Sequence, residues 1–518
     1  MAYELPVFPW HRALEQDGAT TRHPVAVVGG GLTGLTAACA LAVRGIPVVL
    51  LDEDDTVGVR GASSRGICYA QRSLEVFERL GIYDRIAAKG TTWSVARVLV
   101  GSDELYAMDL AKGGTSRQPP FINIQQFYVE WFLADRLAEL PEADLRWRHK
   151  VTAARPAPAL TGDHVELDVE TPDGTYVLDA AWVIDASGLG SSVRASLNIP
   201  TRSEAGVDRW CISDVRFHDP VPPERWTWVE AGFNEGRAVW QHQMADGVWR
   251  IDYQMDPDSS PEEVATEAVA RARLRAHLGE DTEIELVWLG PWGYRTHLLD
   301  DFRHGRIFFA GDAAHVFSPF GARGGNSGIQ DAENLAWKLA AVVRGQAGDA
   351  LLDSYNAERR PAAAFNITTT ERSARFVAPR SPFERALRRA TLDLARRHEF
   401  ARRVTNMGRM SAPFVYADSP LTTNGGEAVP NVPVGTGTLV DLLRAEGMLV
   451  LLGPGTEAPP AIAARRVGTE VTGSAIEALV PPGTVLVVRP DQHVAARLDR
   501  PTPATVQGAV DRAWGRAA

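Results

Sequence analysis

The sequence predicts a mixed α/β protein: a βαβ unit, an antiparallel α+β insert, and a small α/β unit beyond it. Three observations predict this. Residues 25–28 are Val-Ala-Val-Val, followed by a glycine turn, an Ala/Leu-rich helical stretch and a second apolar run at 48–51, the pattern of strand, tight turn, helix and parallel strand. Between about 205 and 290 the pattern becomes alternating aromatic and polar residues, as in 238–244 and 248–255 joined by Ala245-Asp246-Gly247, which reads as an antiparallel sheet. A Pro/Gly/Asn-rich stretch at 419–436 then precedes apolar runs at 448–452 and 484–488 and a last helical segment at about 503–517, as expected of a linker and a further unit.

The intervening elements follow from periodicity. Residues 72–80 and 127–140 have helical spacing, and 165–178 alternates as a hairpin turning at Asp173-Gly174. Residues 306–310 read as a buried strand, followed by a glycine-rich loop and a helix from about 327 to 343, and two arginine-rich helices are expected over roughly 371–408.

At 518 residues, 45% hydrophobic and 23% charged, the chain can bury a core divided into two or three domains. The net charge is −11 with no Lys/Arg-rich block, so phosphate backbones and anionic membranes are not expected partners. Cys39, Cys68 and Cys211 have no CxxC or His-linked spacing; neither a zinc site nor a disulfide framework is expected, and the usage fits a reducing cytoplasm. Glu4, Glu15 and Asp17 occupy the N-terminal stretch without a basic start and apolar core, so no secretory signal is read there. The apolar run 24–43 is long enough to span a membrane, but its glycine turn makes a buried strand and helix the reading, and no membrane segment is expected.

Gly29, Gly31 and Gly34 form a G-x-G-x-x-G turn between strand and helix, where glycines let backbone N–H groups approach a pyrophosphate at the positive helix end. Asp52 closes the second strand, at the distance where an acid accepts hydrogen bonds from an adenosine ribose. These residues alone imply a dinucleotide site of the Rossmann-like kind, for NAD or FAD.

The segment Gly311-Asp312-Ala313-Ala314-His315, continued by Pro319-Phe320-Gly321-Ala322-Arg323-Gly324-Gly325-Asn326 and by Asp331, Asn334, Trp337 and Lys338, closely resembles the second FAD motif of the para-hydroxybenzoate hydroxylase-like and phenol hydroxylase-like (class A) flavoprotein monooxygenases. The resemblance implies that Asp312 bonds the flavin ribityl chain and that the loop from Pro319 through Gly321, Gly324 and Gly325 to Asn326 lines the isoalloxazine. Small residues there let backbone approach a planar ring, and the following helix offers positive potential to an anionic reduced flavin. The third family motif is represented by Asp185-Ala186-Ser187-Gly188, followed by Ser191 and Arg194; Ser187 stands where the commonest pattern has Asp directly before the glycine. FAD binding is still implied, while a nicotinamide role for this segment is weakened. Arg65 and Gln126 occupy the order in which the family holds the pyrophosphate and ribityl regions.

The resemblance covers roughly 22–400 and implies an FAD-binding domain at 22–204 and 291–400, with 205–290 as a substrate-binding sheet. Residues 425–518 resemble the thioredoxin-like appendage of the phenol hydroxylase branch, the likeness resting on 489–497. With all cysteines before residue 212, that unit cannot perform dithiol chemistry, and a packing or oligomerisation role is expected.

The chemistry implied is reduction of bound FAD by NADPH or NADH, its reaction with O2 to a C4a-hydroperoxide, and oxygen transfer to a phenolic ring. Most of it belongs to the cofactor, so no Ser/His/Asp or metal constellation is expected. The catalytic candidates are His242 and Tyr253 on the substrate sheet, either able to take a phenolic proton, and Pro319 in the flavin loop. Alternation puts Trp240, His242 and Met244 on one face, where a structural histidine is the plainer reading. Arg216, Arg225, Arg237 and Arg250 are candidates to attract a carboxylate. A halogenase is the alternative enzyme class; Trp226-Thr227-Trp228 lacks the Ile-Pro that completes its signature. A non-catalytic flavin-binding redox protein is a further alternative. The expected partner is a small aromatic molecule, and a homodimer is the default assembly.

Overall fold

The computed structural model describes residues 3–58, 66–157, 163–217, 221–256, 258–405 and 410–516. Two large sheets organise the chain. The first runs in the order Arg303–His304, Ile307–Phe309, Gly174–Asp185, Arg22–Val28, Val48–Asp52, Ala143–Trp147. Its five inner strands are parallel and the Arg303–His304 edge is antiparallel. The Val25–Val28 stretch is almost fully buried because sheet neighbours and helices cover both faces. The hairpin at Asp173-Gly174 is present, with Thr171 opposite Gly174.

The glycine turn leads into the Leu32–Ala42 helix, which packs on the Gly324–Val343 helix. That helix begins at Gly324, inside the glycine-rich loop, three residues before the expected start at 327. Glycine has low intrinsic helix preference, so the first turn is set by its surroundings: the Ser327 amide bonds the Arg323 carbonyl at 2.8 Å.

The second sheet runs in the order His315–Val316, Glu285–Leu298, Ser203–Arg216, Trp249–Gln254, Arg237–Gln243, Arg225–Ala231, Val95–Val100, Asp103–Asp109. Its centre is the expected antiparallel insert, but the sheet is wider than 205–290. The hairpin at 95–109 joins it by parallel pairing of Val95–Val100 with Arg225–Ala231, a long-range partnership that local periodicity cannot reveal.

Between the flavin-motif helix and the arginine-rich segment lies one continuous helix, Ala350–Val377, followed by Pro382–Ala395 and Glu399–Thr405. Pro361 sits within it; a proline would ordinarily mark a break, and packing on the Gly324–Val343 helix overrides that local signal.

After the linker, four strands run in the order Arg465–Arg466, Leu449–Leu452, Thr484–Val488, Val494–Asp499; the first pair is parallel and the others antiparallel. Helices Leu439–Glu446, Ser474–Leu479 and Pro503–Ala513 flank them. No described helix is long and apolar enough to cross a membrane, and among the described residues no His/Cys/Asp/Glu group could hold a metal ion.

Candidate active site

The fingerprint glycines are required by contact. A Cβ on Gly34 would lie 1.9 Å from the Gly29 carbonyl oxygen, and one on Gly29, at φ +102°, would lie 2.7 Å from the Ala186 oxygen. The first glycine thus seats on the Asp185–Ser187 turn and the third seats on the first. Around Gly31, the N-cap of the helix, a Cβ would meet only a Glu130 oxygen at 4.0 Å, so the helix start opens to an incoming group as a pyrophosphate requires. Asp52 ends its strand beside this turn and accepts from the Gly30 and Asp54 amides; burial pushes its carboxyl up to about 6.

The second loop meets the first through Thr33. A Cβ on Gly311 or Gly328 would come within 2.5 or 2.2 Å of the Thr33 hydroxyl. Asp331, buried in the Gly324–Val343 helix, accepts from the Gly311 amide at 3.0 Å, His315 Nε2 at 2.6 Å and Arg359 Nε at 2.6 Å. These contacts fix the strand end, the loop and two helices relative to one another, and against the effect of burial the bonds from His315 and the Arg359 guanidinium hold the Asp331 carboxyl down at about 2. Its contribution to stability is present above the usual carboxylate pKa and lost as pH falls through about 2. Asp331→Asn is expected to destabilise the fold by about 3 kcal/mol or more, because Arg359 is left buried without its anion; thermal denaturation and retained flavin per chain measure the loss.

Asp312, Pro319 and Gly325 remain exposed and Gly321 and Gly324 partly so, so these positions line an open rim. Nothing lies within 4 Å of a Cβ placed on Gly324, which leaves room for a flat ring against the loop. Asn326 is buried, and its side chain ties the loop to the sheet: it accepts from the Ala70 amide at 2.9 Å and Ser73 at 2.6 Å and donates to the Cys68 carbonyl at 2.8 Å. Any contact it makes with a cofactor is through backbone.

Asp185 is fully buried and accepts from the Ser187 amide, the Ser187 hydroxyl and the Ser191 hydroxyl. Its carboxylate therefore braces its own turn, and this turn supports Gly29. Gln126 opens the Gln126–Ala138 helix, accepting from the Gly66 amide at 2.9 Å and donating to Glu130 at 2.8 Å. Arg65 lies outside the described residues.

Sequence reasoning passed over Glu130, which accepts from the Leu32 amide at 3.1 Å and the Gly58 amide at 2.9 Å, and Arg359, which also reaches the Tyr416 hydroxyl. The available signals were an acid one turn after Gln126 and a charged residue on the buried side of a long helix.

Across from the flavin loop, the second sheet presents one face as ordered rows. Thr227, Trp240, Asp252 and Ile212 are register neighbours; a second row holds His242, Arg250 and Asp214, and a third includes Gln254 and Trp210. Trp210 and Trp240 stack with centroids 4.2 Å apart, and Phe320 from the flavin loop stands edge-on to Trp240 at 5.0 Å. His242 is on this face, as expected, with Nδ1 3.9 Å from Cys68 Sγ. Burial, Arg225 and Arg250 hold its pKa well below the usual imidazole value, so it is neutral and a weak base.

Tyr253 is on the opposite face. It packs beneath the Glu267–Leu278 helix, its hydroxyl 3.0 Å from His277 Nδ1. Period-two alternation separates it from Asp252, so the structure does not bring it together with Pro319 and His242. Of the four arginine candidates, Arg216 pairs with Glu285, Arg237 with Glu235 and Asp256, and Arg250 with Asp214. Arg225 is buried with Nε unpartnered and an NH group on Met410 Sδ.

A family profile described as FAD binding domain matches residues 22–370, the span containing both glycine loops, Asp331 and the sheet. The chain belongs to the FAD-binding monooxygenase family of aromatic hydroxylases. A 3-(3-hydroxy-phenyl)propionate/3-hydroxycinnamic acid hydroxylase of Mycolicibacterium smegmatis is 29% identical over 419 residues, 80% of this chain and 71% of the relative. A 6-methylpretetramide 4-monooxygenase of Streptomyces rimosus is 29% identical over 440 residues, 82% of this chain and 76% of the relative. The structure of an anhydrotetracycline hydroxylase from Streptomyces rimosus is 26% identical, with a TM-score of 0.70 over 96% of this hydroxylase and 100% of that chain. The FAD of this hydroxylase fits the two glycine cradles and the open rim at Pro319–Gly325.

Proposed function

We propose that this hydroxylase inserts one oxygen atom of O2 into a phenolic ring, with NADPH or NADH as reductant. The observation that carries the reading is the stacked Trp210–Trp240 pair on the sheet face, met edge-on by Phe320 of the flavin loop, an aromatic surround suited to a flat ring. Bound FAD supplies the electron transfer and oxygen activation. Asp52 and the Gly29–Gly34 turn hold its adenosine and pyrophosphate end; backbone of the 319–326 loop borders its ring. Trp210, Trp240 and Phe320 position the substrate and exclude water. A substrate among hydroxylated mono- or polycyclic aromatics is supported by the relatives, a 3-(3-hydroxy-phenyl)propionate/3-hydroxycinnamic acid hydroxylase and a 6-methylpretetramide 4-monooxygenase.

The remaining assignments belong to the same reading. Residues 22–204, apart from the 95–109 hairpin, and 291–400 form the cofactor domain, and 205–290 with that hairpin forms the substrate domain. Residues 425–518 form a thioredoxin-like unit, supported by its strand order and mixed pairing. Purified protein with a panel of phenols is expected to show phenol-stimulated NADPH or NADH consumption and a product heavier by one oxygen atom. Bound FAD with neither stimulation nor oxygenated product rejects the reading.

A further inference from the structure

The middle of the substrate-sheet face is unusual in its exposure. Ile212 and Asp252, direct partners on adjacent strands, keep part of their surface, while Trp210, Asp214, Trp240, His242, Arg250 and Gln254 around them are buried. Residual exposure at the centre of a covered face leaves these two side chains reachable by a small molecule. Among the described residues no hydrogen bond or ion pair reaches the Asp252 carboxylate.

Its surroundings explain why it stands unanswered. Arg250, the nearest cation along the strand, bonds Asp214 through Nε and Nη2, both at 2.8 Å. His242 is neutral. Arg225 lies beyond ion-pair distance, on the strand carrying Thr227. A carboxylate withdrawn from bulk water without a partner is costly, and burial pushes this carboxyl up to about 6. It is an acceptor that no donor of the described chain answers.

We propose that Asp252 is the substrate-recognition carboxylate of this hydroxylase, accepting the hydrogen bond of a ring hydroxyl seated between Ile212 and the Trp240 indole. The inference rests on the phenolic reading above and deepens it. A hydroxyl donating to a carboxylate carries more electron density on its oxygen and on the ring carbons ortho and para to it, the carbons an electrophilic oxygen attacks. The charged bond also orients the ring. The sheet face therefore selects substrates by a hydrogen-bond donor, and replacing the hydroxyl by a methyl ether removes the donor while keeping the ring.

The test uses the flavin-loaded protein and two probes, 2-naphthol and 2-methoxynaphthalene. Binding is read from perturbation of the flavin absorbance and quenching of tryptophan fluorescence. The wild type is expected to bind the naphthol at least about tenfold tighter than the ether, as a charge-assisted bond predicts. In Asp252→Asn the ratio is expected to fall to within about twofold of unity, and in Asp252→Glu to recover in part. Asp252→Ser replaces the Asn variant if that variant does not retain FAD.

An unchanged ratio in the variants, or no discrimination by the wild type, overturns the proposal. Failure of the hydroxylase reading has a different signature: the probes are discriminated by binding, but no phenol yields an oxygenated product.

Discussion

Replacing Gly34 by Ala is expected to leave a chain that folds but retains little FAD. The added methyl would sit 1.9 Å from the Gly29 carbonyl oxygen, and its neighbour there is backbone that no rotamer change can move aside. Relief requires the turn and helix to separate. Gly29 rests in turn on the Asp185–Ser187 turn, so the displacement passes to the junction of three parallel strands. FAD affinity is expected to fall by at least about a hundredfold, near 2.7 kcal/mol, because the helix N-terminus no longer faces the pyrophosphate. Gly188→Ala, a substitution where nothing lies within 4 Å of the added Cβ but φ is +85°, serves as a comparison and is expected to cost stability with a smaller loss of flavin. Equilibrium dialysis of both variants against FAD decides the matter; wild-type affinity in Gly34→Ala would contradict the steric account.

Removing the Glu358 carboxylate is expected to have the largest effect on stability. This side chain, on the Ala350–Val377 helix, has no exposed surface and accepts from Lys338 Nζ at 2.7 Å, Asn334 at 2.7 Å and Arg489 Nη2 at 2.9 Å. Ser419 also donates to it. The two cations hold its carboxyl far below the usual range, and burial brings the Lys338 amine down to about 8. Asp491 answers Arg489 as well, so two anions and two cations balance inside the protein. Glu358→Ala leaves Lys338 and Arg489 with one anion between them and is expected to cost about 3–5 kcal/mol. A denaturant titration read by tryptophan fluorescence measures it. A shift below about 1 kcal/mol would mean that water or local rearrangement solvates the cations.

Much of the cofactor region was legible because its chemistry is local. Glycines at fixed spacing, a strand before them and an acid after the next strand determine the turn around Gly29, Gly31 and Gly34, and the structure places Asp52 beside it. The roles of Asp185 and Asn326 were less legible. Both lie in motifs associated with FAD, yet their side chains hold neighbouring backbone, a distinction that depends on which way a side chain turns. The aromatic sheet face was legible in its alternation and not in its orientation. Period two separates Trp240 and His242 from Val239, but it cannot say which face meets the flavin loop, so Tyr253 was grouped with His242 and Asp252 went unnoticed. Glu130 and Arg359 could be noticed by their spacing, but their partners, Leu32 for the one and Asp331 and Tyr416 for the other, come from distant parts of the chain that spacing does not name.

The Glu358 hub also joins parts of the chain that lie far apart in sequence. The helix that starts at the flavin loop carries Lys338 and Asn334, whose charge balance includes Arg489 and Asp491, while Arg72 and Arg79 bond Asp491 and Gln492. The distal unit therefore acts as a clasp: it brings Arg489 to a carboxylate whose other cation, Lys338, stands on the helix that starts at the flavin loop, so separating the two would leave a buried charge short of its partner.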